Sequence, residues 1–307
     1  MGGNGYIGSH LVEELLRKGR SVRVCCRRLP GLLPPAVLAD PLLECVPGDL
    51  LDPSFCSDVL DGCSAVVHCI GPTIPFASNA DPILDWHQHV EPTMVFLSVM
   101  REASPRRFLF LSSGGTVYGP NCETPTPETT LCRPISAYGV HKLSIENFLY
   151  SEHFLYGLDY VVARIANPYG GRQRSEALQG APSVFLSKIL NGEFIDLWGA
   201  GEIKRDFVHI SDVIAALIQM LGYQGPSRVF NIGSSRSLSI KHLISQIEVL
   251  SGKKALIKVF PSRPFDVPVN HLDISLATKE LEWSPRLELN EGIEICLQQL
   301  RGSENGQ

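Results

Sequence analysis

Tyr138 and Lys142 stand four residues apart in Ser136-Ala137-Tyr138-Gly139-Val140-His141-Lys142. On a helix, positions i and i+4 share a face, so this spacing sets an ammonium beside a phenol. A neighbouring cation favours the phenolate and lowers the tyrosine pKa. Tyr138 then becomes a usable general base near neutral pH. A core tyrosine with a snorkelling lysine has the same spacing. The position of the pair, after several strands and a glycine turn, selects the catalytic reading. Upstream, Leu111-Ser112-Ser113-Gly114-Gly115-Thr116 ends an apolar run in hydroxyls. At the carboxyl end of a parallel strand such groups point toward a ligand crevice. Ser113 or Thr116 is therefore expected to bond a substrate hydroxyl, with turn capping as the alternative.

The segment Gly2-Gly3-Asn4-Gly5-Tyr6-Ile7-Gly8 precedes a helix-period stretch marked by Ile7, Leu11, Val12, Leu15 and Leu16. Glycines allow positive φ and close approach of backbone to a pyrophosphate. The helix start adds unpaired N–H groups and the positive end of a dipole. Gly2, Gly5, Tyr6, Ile7 and Gly8 are thus expected to hold a dinucleotide. The second strand of such a site ordinarily ends in an acidic residue for the ribose 2′-hydroxyl. Here it reads Val24-Cys25-Cys26-Arg27-Arg28. Two guanidinium groups suit a 2′-phosphate, or they stack on adenine or face solvent, so both NAD and NADP stay open. Asp49 ends the third strand, either against the adenine or in a surface turn.

Several elements must position these groups. Val22–Cys26, Leu43–Val46, Ala65–Ile70, Arg107–Ser112 and Tyr160–Ile165 read as strands alternating with helices. Their continuous apolar character suits a parallel sheet covered on both faces. The expected class is α/β, a Rossmann-type doubly wound sheet with a smaller C-terminal substrate lobe. Residues 1–166 form the dinucleotide-binding domain and 167–301 mainly the lobe, with about 206–233 returning to the main sheet. The glycine turn begins at residue 2 with no strand before it, so the first strand is expected to be missing through a late start of the sequence.

Composition bounds the partners. Of 307 residues, 44% are hydrophobic and 19% charged, which is globular, and the formal net charge is −5. That balance offers no global attraction to nucleic acid or to an anionic membrane, so anion recognition must be local. No apolar run approaches the roughly 20 residues of a membrane span. Nine cysteines without a Cys-x-x-Cys pair read as free thiols of a cytoplasmic protein. No metal site is expected.

Together these segments resemble the extended short-chain dehydrogenase/reductase family, specifically its sugar-nucleotide epimerases and dehydratases. The resemblance rests on Gly2–Gly8, Gly48-Asp49-Leu50, His68-Cys69-Ile70-Gly71, Ser112–Gly119, Tyr138–Lys142, Arg164-Ile165-Ala166-Asn167-Pro168-Tyr169-Gly170, Gly199–Asp212 and Arg263–Asp266. It implies that Tyr138 is the base, that Lys142 is its partner and a ribose ligand, and that Asp49, Leu50 and Gly71 line the cofactor site. It further implies that Asn167, Arg205 and Arg263 contact the diphosphate of a nucleotide-diphosphate sugar, and that Asp266 holds the nucleotide ribose. Family members often dimerise through the helix carrying Tyr-x-x-x-Lys, which implies a homodimer.

The sequence departs from the family at Gly114, where epimerases carry Ser or Thr, so Thr116 or Ser113 must substitute. His89 stands where Asn is usual. Gly115 and Thr116 replace the acidic residues of dehydratases, which favours C4 epimerisation through a transient 4-keto sugar. Asn270 lies where some epimerases place a bulky tyrosine, leaving room for an N-acetylated sugar. An NADP-dependent reductase of a keto-sugar or other carbonyl is the alternative, favoured by Arg27 and Arg28. A non-catalytic dinucleotide-binding protein is the second alternative.

Overall fold

The computed structural model describes residues 1–71, 75–102, 107–120, 122–173 and 180–304. In chain order the elements begin α1 (Tyr6–Arg17), β1 (Val22–Cys26), α2 (Pro35–Leu38), β2 (Leu43–Pro47), α3 (Pro53–Leu60) and β3 (Ala65–His68). Next come α4 (Pro75–Ala80), α5 (Pro82–Met100), β4 (Arg107–Ser113), α6 (Ala137–Tyr156), β5 (Tyr160–Ile165) and β6 (Asn167–Tyr169). Then follow α7 (Ala181–Asn191), β7 (Phe194–Trp198), β8 (Lys204–Arg205), β9 (Phe207–His209), α8 (Ile210–Gly222) and β10 (Val229–Ile232). The last are β11 (Leu238–Ser239), α9 (Ile240–Ser251), β12 (Leu256–Phe260), α10 (Ser275–Glu280) and α11 (Leu289–Glu304).

The chain divides into two compact units. The first comprises Met1–Ser113, Ser136–Arg164 and Leu217–Phe230. The second comprises Gly114–Ile135, Ile165–Ala216 and Asn231–Gln307. Beside the expected cut near residue 166 and a return from within 206–233, the division gives residues 114–135 to the second unit and Leu217–Phe230 to the first. Residues 114–135 go with the second unit because its backbone pairs with them: Thr126 N–H donates to His271 O and Asp273 N–H to Thr126 O. Tyr118 Oη donates to Asn231 Oδ1 at 2.7 Å, and the Asn231 amide donates to Thr126 O at 2.8 Å. Within 206–233 only β10 joins the main sheet, whereas β9 pairs with β6.

In the first unit, β1 and β2 run parallel, and β3 pairs in parallel with β4 in a four-stranded sheet of order β10-β5-β4-β3. Met1 and Gly2 join the two pieces. The Met1 ammonium donates to Val67 O, Cys69 N–H to Met1 O, and Gly2 N–H to Cys25 O. Phe108, Leu109 and Phe110 of β4 are fully buried, as are Val161 and Val162 of β5. Full burial on both faces explains their uninterrupted apolar sequence. Helix α6 is bound to this sheet by a buried ion pair. Arg164 of β5 donates to Glu146 of α6 at 2.6 Å, and Ser112 of β4 donates to the same carboxylate.

In the second unit, β12 and β7 form a parallel pair and β11 and β8 an antiparallel one. Helices α7, α9 and α11 bury Leu186, Ile189, Leu243, Ile247 and Ile293 in one core. Trp283 Nε1–H donates to Asp212 O at 3.0 Å.

Removing one partner of a buried ion pair leaves an uncompensated charge, at a cost of about 3–5 kcal/mol. Arg164→Leu is expected to lower unfolding free energy by that amount in urea denaturation followed by circular dichroism. Adding Glu146→Leu should recover much of the loss.

Candidate active site

Helix α1 starts from the glycine turn with Gly5 as N-cap, and no side chain caps it. A helix start of this kind is a ready site for an anion. A Cβ on Gly8 would sit 2.4 Å from Gly2 O and 2.7 Å from Gly3 Cα, so the turn folds back on the helix only with glycine there. Gly2 itself has φ +70°, in the left-handed region. This bare, closely packed helix start fits the pyrophosphate of a dinucleotide. Arg27 and Arg28 follow β1 and are exposed. Asp49 is also exposed and accepts from Leu51 N–H at 3.1 Å, the geometry of a turn, while Leu50 is buried.

Ser136 caps α6 by accepting from Gly139 N–H at 3.2 Å, which puts Tyr138 in the first turn and Lys142 one turn later. Lys142 Nζ donates to Leu111 O at 2.9 Å and Ile70 O at 3.2 Å. It lies 4.8 Å from the Phe110 ring centroid and 5.8 Å from that of Tyr138. A Cβ on Gly71 would stand 3.6 Å from it. Burial draws the Lys142 ammonium down to about 8, against the pull of Cys69, Asp85 and Glu146.

Tyr138 moves opposite to the sequence expectation. Burial pushes its phenol up to about 12, the Asp85 charge adds to this, and a hydrogen bond with Ser113 opposes it. Desolvation outweighs the stabilisation of the phenolate that the lysine spacing implies. Of the two candidate hydroxyls, Ser113 is the one whose pull reaches the phenol. Thr116 belongs to the second unit, and its Oγ1 is buried without a hydrogen-bond partner.

A cavity in the first unit is lined by Gly71, Asp85, His89, Tyr138, His141 and Lys142, among others. The sequence reading noted His89 but missed Asp85 and His141. Asp85 Oδ1 pairs with His89 Nδ1 and Oδ2 with His141 Nδ1, both at 2.7 Å, and Ser78 Oγ donates to Oδ2 at 2.5 Å. The i,i+4 spacing of Asp85 and His89 was the available signal. Burial drops the His89 imidazole to about 4.

The second unit gathers the other predicted residues. Arg263 donates to Asp266 at 2.8 and 3.1 Å, and Arg205 reaches the same carboxylate at 3.6 Å. Arg205 also donates to Val267 O at 2.6 Å, and burial lowers its pKa. Two guanidinium groups on one carboxylate leave a positive charge in surplus. Arg263 lies 5.1 Å from the Trp198 ring centroid, and Trp198 stacks on Phe260 at 4.8 Å. Asn167, the expected diphosphate contact, is held through its amide. Its amide donates to Asp206 O and Asn270 Oδ1, both at 2.9 Å, and Asn270 donates to Gly114 O at 3.0 Å. Among the described residues no cluster of His, Cys, Asp and Glu has the makings of a metal site.

Residues 1–233 match the model of the NAD dependent epimerase/dehydratase family. The chain is 36% identical to the dTDP-4-dehydro-6-deoxyglucose reductase of Escherichia coli over 77% of this chain and 74% of the relative. It is 30% identical to a putative UDP-glucose 4-epimerase of Methanocaldococcus jannaschii over 95% and 94%. The structure of Thermotoga maritima UDP-glucose 4-epimerase with UDP-glucose superposes with a TM-score of 0.91 at 31% identity, covering 99% of this chain and 98% of that one.

The raised phenol pKa is directly measurable. In cofactor-stripped protein, the tyrosinate absorbance of wild type minus Tyr138→Phe is expected to show no ionisation near the ordinary value of 10 and a step close to 12. A step at or below 10 would contradict it.

Proposed function

Because the chain belongs to the NAD dependent epimerase/dehydratase family, we propose that it is an NAD-dependent epimerase that inverts C4 of a nucleotide-diphosphate sugar. The observation that carries this reading is the Tyr138–Ser113–Lys142 arrangement beside a capless helix start. The near-complete coverage of UDP-glucose 4-epimerases in both sequence and structure supports it.

The first-turn N–H groups of α1 would hold the pyrophosphate of NAD, Asp49 and Leu50 its adenosine end, and Gly71 and Lys142 its nicotinamide ribose. When bound, the dinucleotide supplies the hydride acceptor and donor, together with a positive ring charge. Tyr138 takes the proton of the sugar 4-hydroxyl, and the Ser113 hydroxyl steadies the oxygen, with Thr116 as the other candidate. Lys142, held by Ile70 O and Leu111 O, keeps the ammonium that a buried phenolate needs. The 4-keto sugar turns over so that hydride would return to the opposite face of C4, and Tyr138 returns the proton to the C4 oxygen. Arg205 and Arg263 neutralise the diphosphate and Asp266 orients them. Arg27 lies in the exposed segment after β1 and is the residue that would meet the adenosine ribose.

The 36% identity to a dTDP-4-dehydro-6-deoxyglucose reductase favours one second reading, net reduction of a keto-sugar. The two differ in stoichiometry, since epimerisation consumes no cofactor.

A second copy of the chain fits the outer faces of α5 and α6, where Ile83, Phe148, Phe154 and Leu155 are exposed. We place the protein in the cytoplasm on its nine free thiols; no described helix is long and apolar enough to cross a membrane.

Incubated with UDP-glucose, the protein is expected to form UDP-galactose without net change in NADH absorbance. Tyr138→Phe should lower kcat roughly 100-fold or more while NAD binding persists. Arg263→Ala should raise KM about tenfold, the scale of one charged hydrogen bond. Stoichiometric NADPH consumption would favour the reductase instead. Sedimentation equilibrium should give twice the 33.7 kDa chain mass, and Phe154→Asp should shift it toward the monomer.

A further inference from the structure

We propose that Asp85 is a positioning residue for the Tyr138–Lys142 pair, a buried carboxylate that clamps the first turn of α6 and sets the charge balance in which the base works. Its side chain is 2% exposed. Three donors from three helices converge on it: Ser78 of α4, His89 of α5 and His141 of α6. His141 lies between Tyr138 and Lys142, so the bond to Asp85 fixes the rotation of α6 that aims both. Each imidazole meets the carboxylate through Nδ1, which places the proton there and leaves Nε2 as the free nitrogen. His89 Nε2 is buried without a partner, on a side chain 8% exposed that lines the same cavity as Tyr138 and Lys142. The cluster is thus an anion built against the catalytic pair rather than a remote structural bond.

The consequence is electrostatic. The Asp85 carboxylate balances the Lys142 ammonium while Tyr138 keeps its proton. Negative charge at Asp85 favours the ammonium and opposes the phenolate: it adds to the burial that raises Tyr138 and works against the burial that lowers Lys142. The other charged or titratable groups facing the pair are His89 on α5, His141 and Glu146 on α6, and His68 and Cys69 at the end of β3. The Met1 ammonium acts on His68 and Cys69. Ser113 of β4 contributes a neutral hydroxyl. Asp85 thus holds the base protonated until a ligand brings positive charge.

The proposal rests on the assignment of Tyr138 as the base, and its test is chosen to stand apart from that assignment. In cofactor-stripped Asp85→Asn, the Tyr138 tyrosinate step, read against the matching Tyr138→Phe protein, is expected to move down by about one pH unit. His141→Gln, which keeps the carboxylate, should leave it in place. In the holoenzyme Asp85→Asn should shift both limbs of the kcat profile to lower pH. The acid limb follows an easier phenol ionisation and the alkaline limb a weaker hold on the ammonium. Should Asp85→Asn not fold, Asp85→Ser gives the same reading with a water between the imidazoles. An unmoved tyrosinate step in the neutral variant, or an equal movement in His141→Gln, would overturn the role. Loss of activity without any shift would reduce Asp85 to a structural clamp and overturn it too. Absence of epimerisation in wild type would sink the functional reading alone.

Discussion

A buried ammonium must be solvated by the protein that buries it, and Lys142 is solvated by the carbonyls of Leu111 and Ile70. Taking such an ion out of water costs several kcal/mol even after relaxation. Two carbonyl dipoles and the face of Phe110 offset that cost. These acceptors are fixed by strand pairing, since β3 and β4 run parallel with His68 opposite Phe110. The rest of the catalytic half follows from there. The lysine sets the phase of α6, α6 sets Tyr138, and the Glu146–Arg164 pair and the Asp85 cluster hold α6 against sheet and neighbouring helices.

Anion recognition follows a different economy. A chain of net charge −5 cannot attract a dinucleotide and a nucleotide sugar by its overall field. In the first unit the glycine turn offers backbone dipoles with no net charge. In the second, Arg205 and Arg263 share Asp266, which holds both side chains in place and leaves a single surplus cation. Both features are local, so neither depends on the overall charge of the chain.

What was legible in the sequence was what local spacing encodes. The glycine turn, the Tyr138–Lys142 pair and the strands from Val22 to Ile165 depend on neighbours a few residues away. The Arg205, Arg263 and Asp266 cluster came through resemblance, since nothing in spacing brings residue 205 to residue 263. Asp85 and His141 escaped because their bond crosses from one helix to another. The direction of the Tyr138 shift escaped because desolvation is set by tertiary packing, whereas spacing reveals only the partner charge. The place of residues 114–135 in the second unit escaped for the same reason: the pull of His271 and Asn231 on Thr126 is a long-range backbone and amide contact.

Gly114 shows how a departure from the family pattern is absorbed. With no hydroxyl of its own, its backbone is pinned on both sides: the N–H donates to Ile165 O at 2.8 Å and the carbonyl accepts from Asn270. Asn270 is in turn held by Asn167 and is buried, a bracket between Gly114 and Asn167. Cutting it away would leave Gly114 O without this donor and take from Asn167 one of its two acceptors, and each unsatisfied buried polar group costs about 1–3 kcal/mol. Pinning residue 114 constrains the backbone one residue earlier, where β4 ends at Ser113. The hydroxyl missing at 114 has a sequence neighbour in Ser113, whose pull on the phenol lies within the first unit.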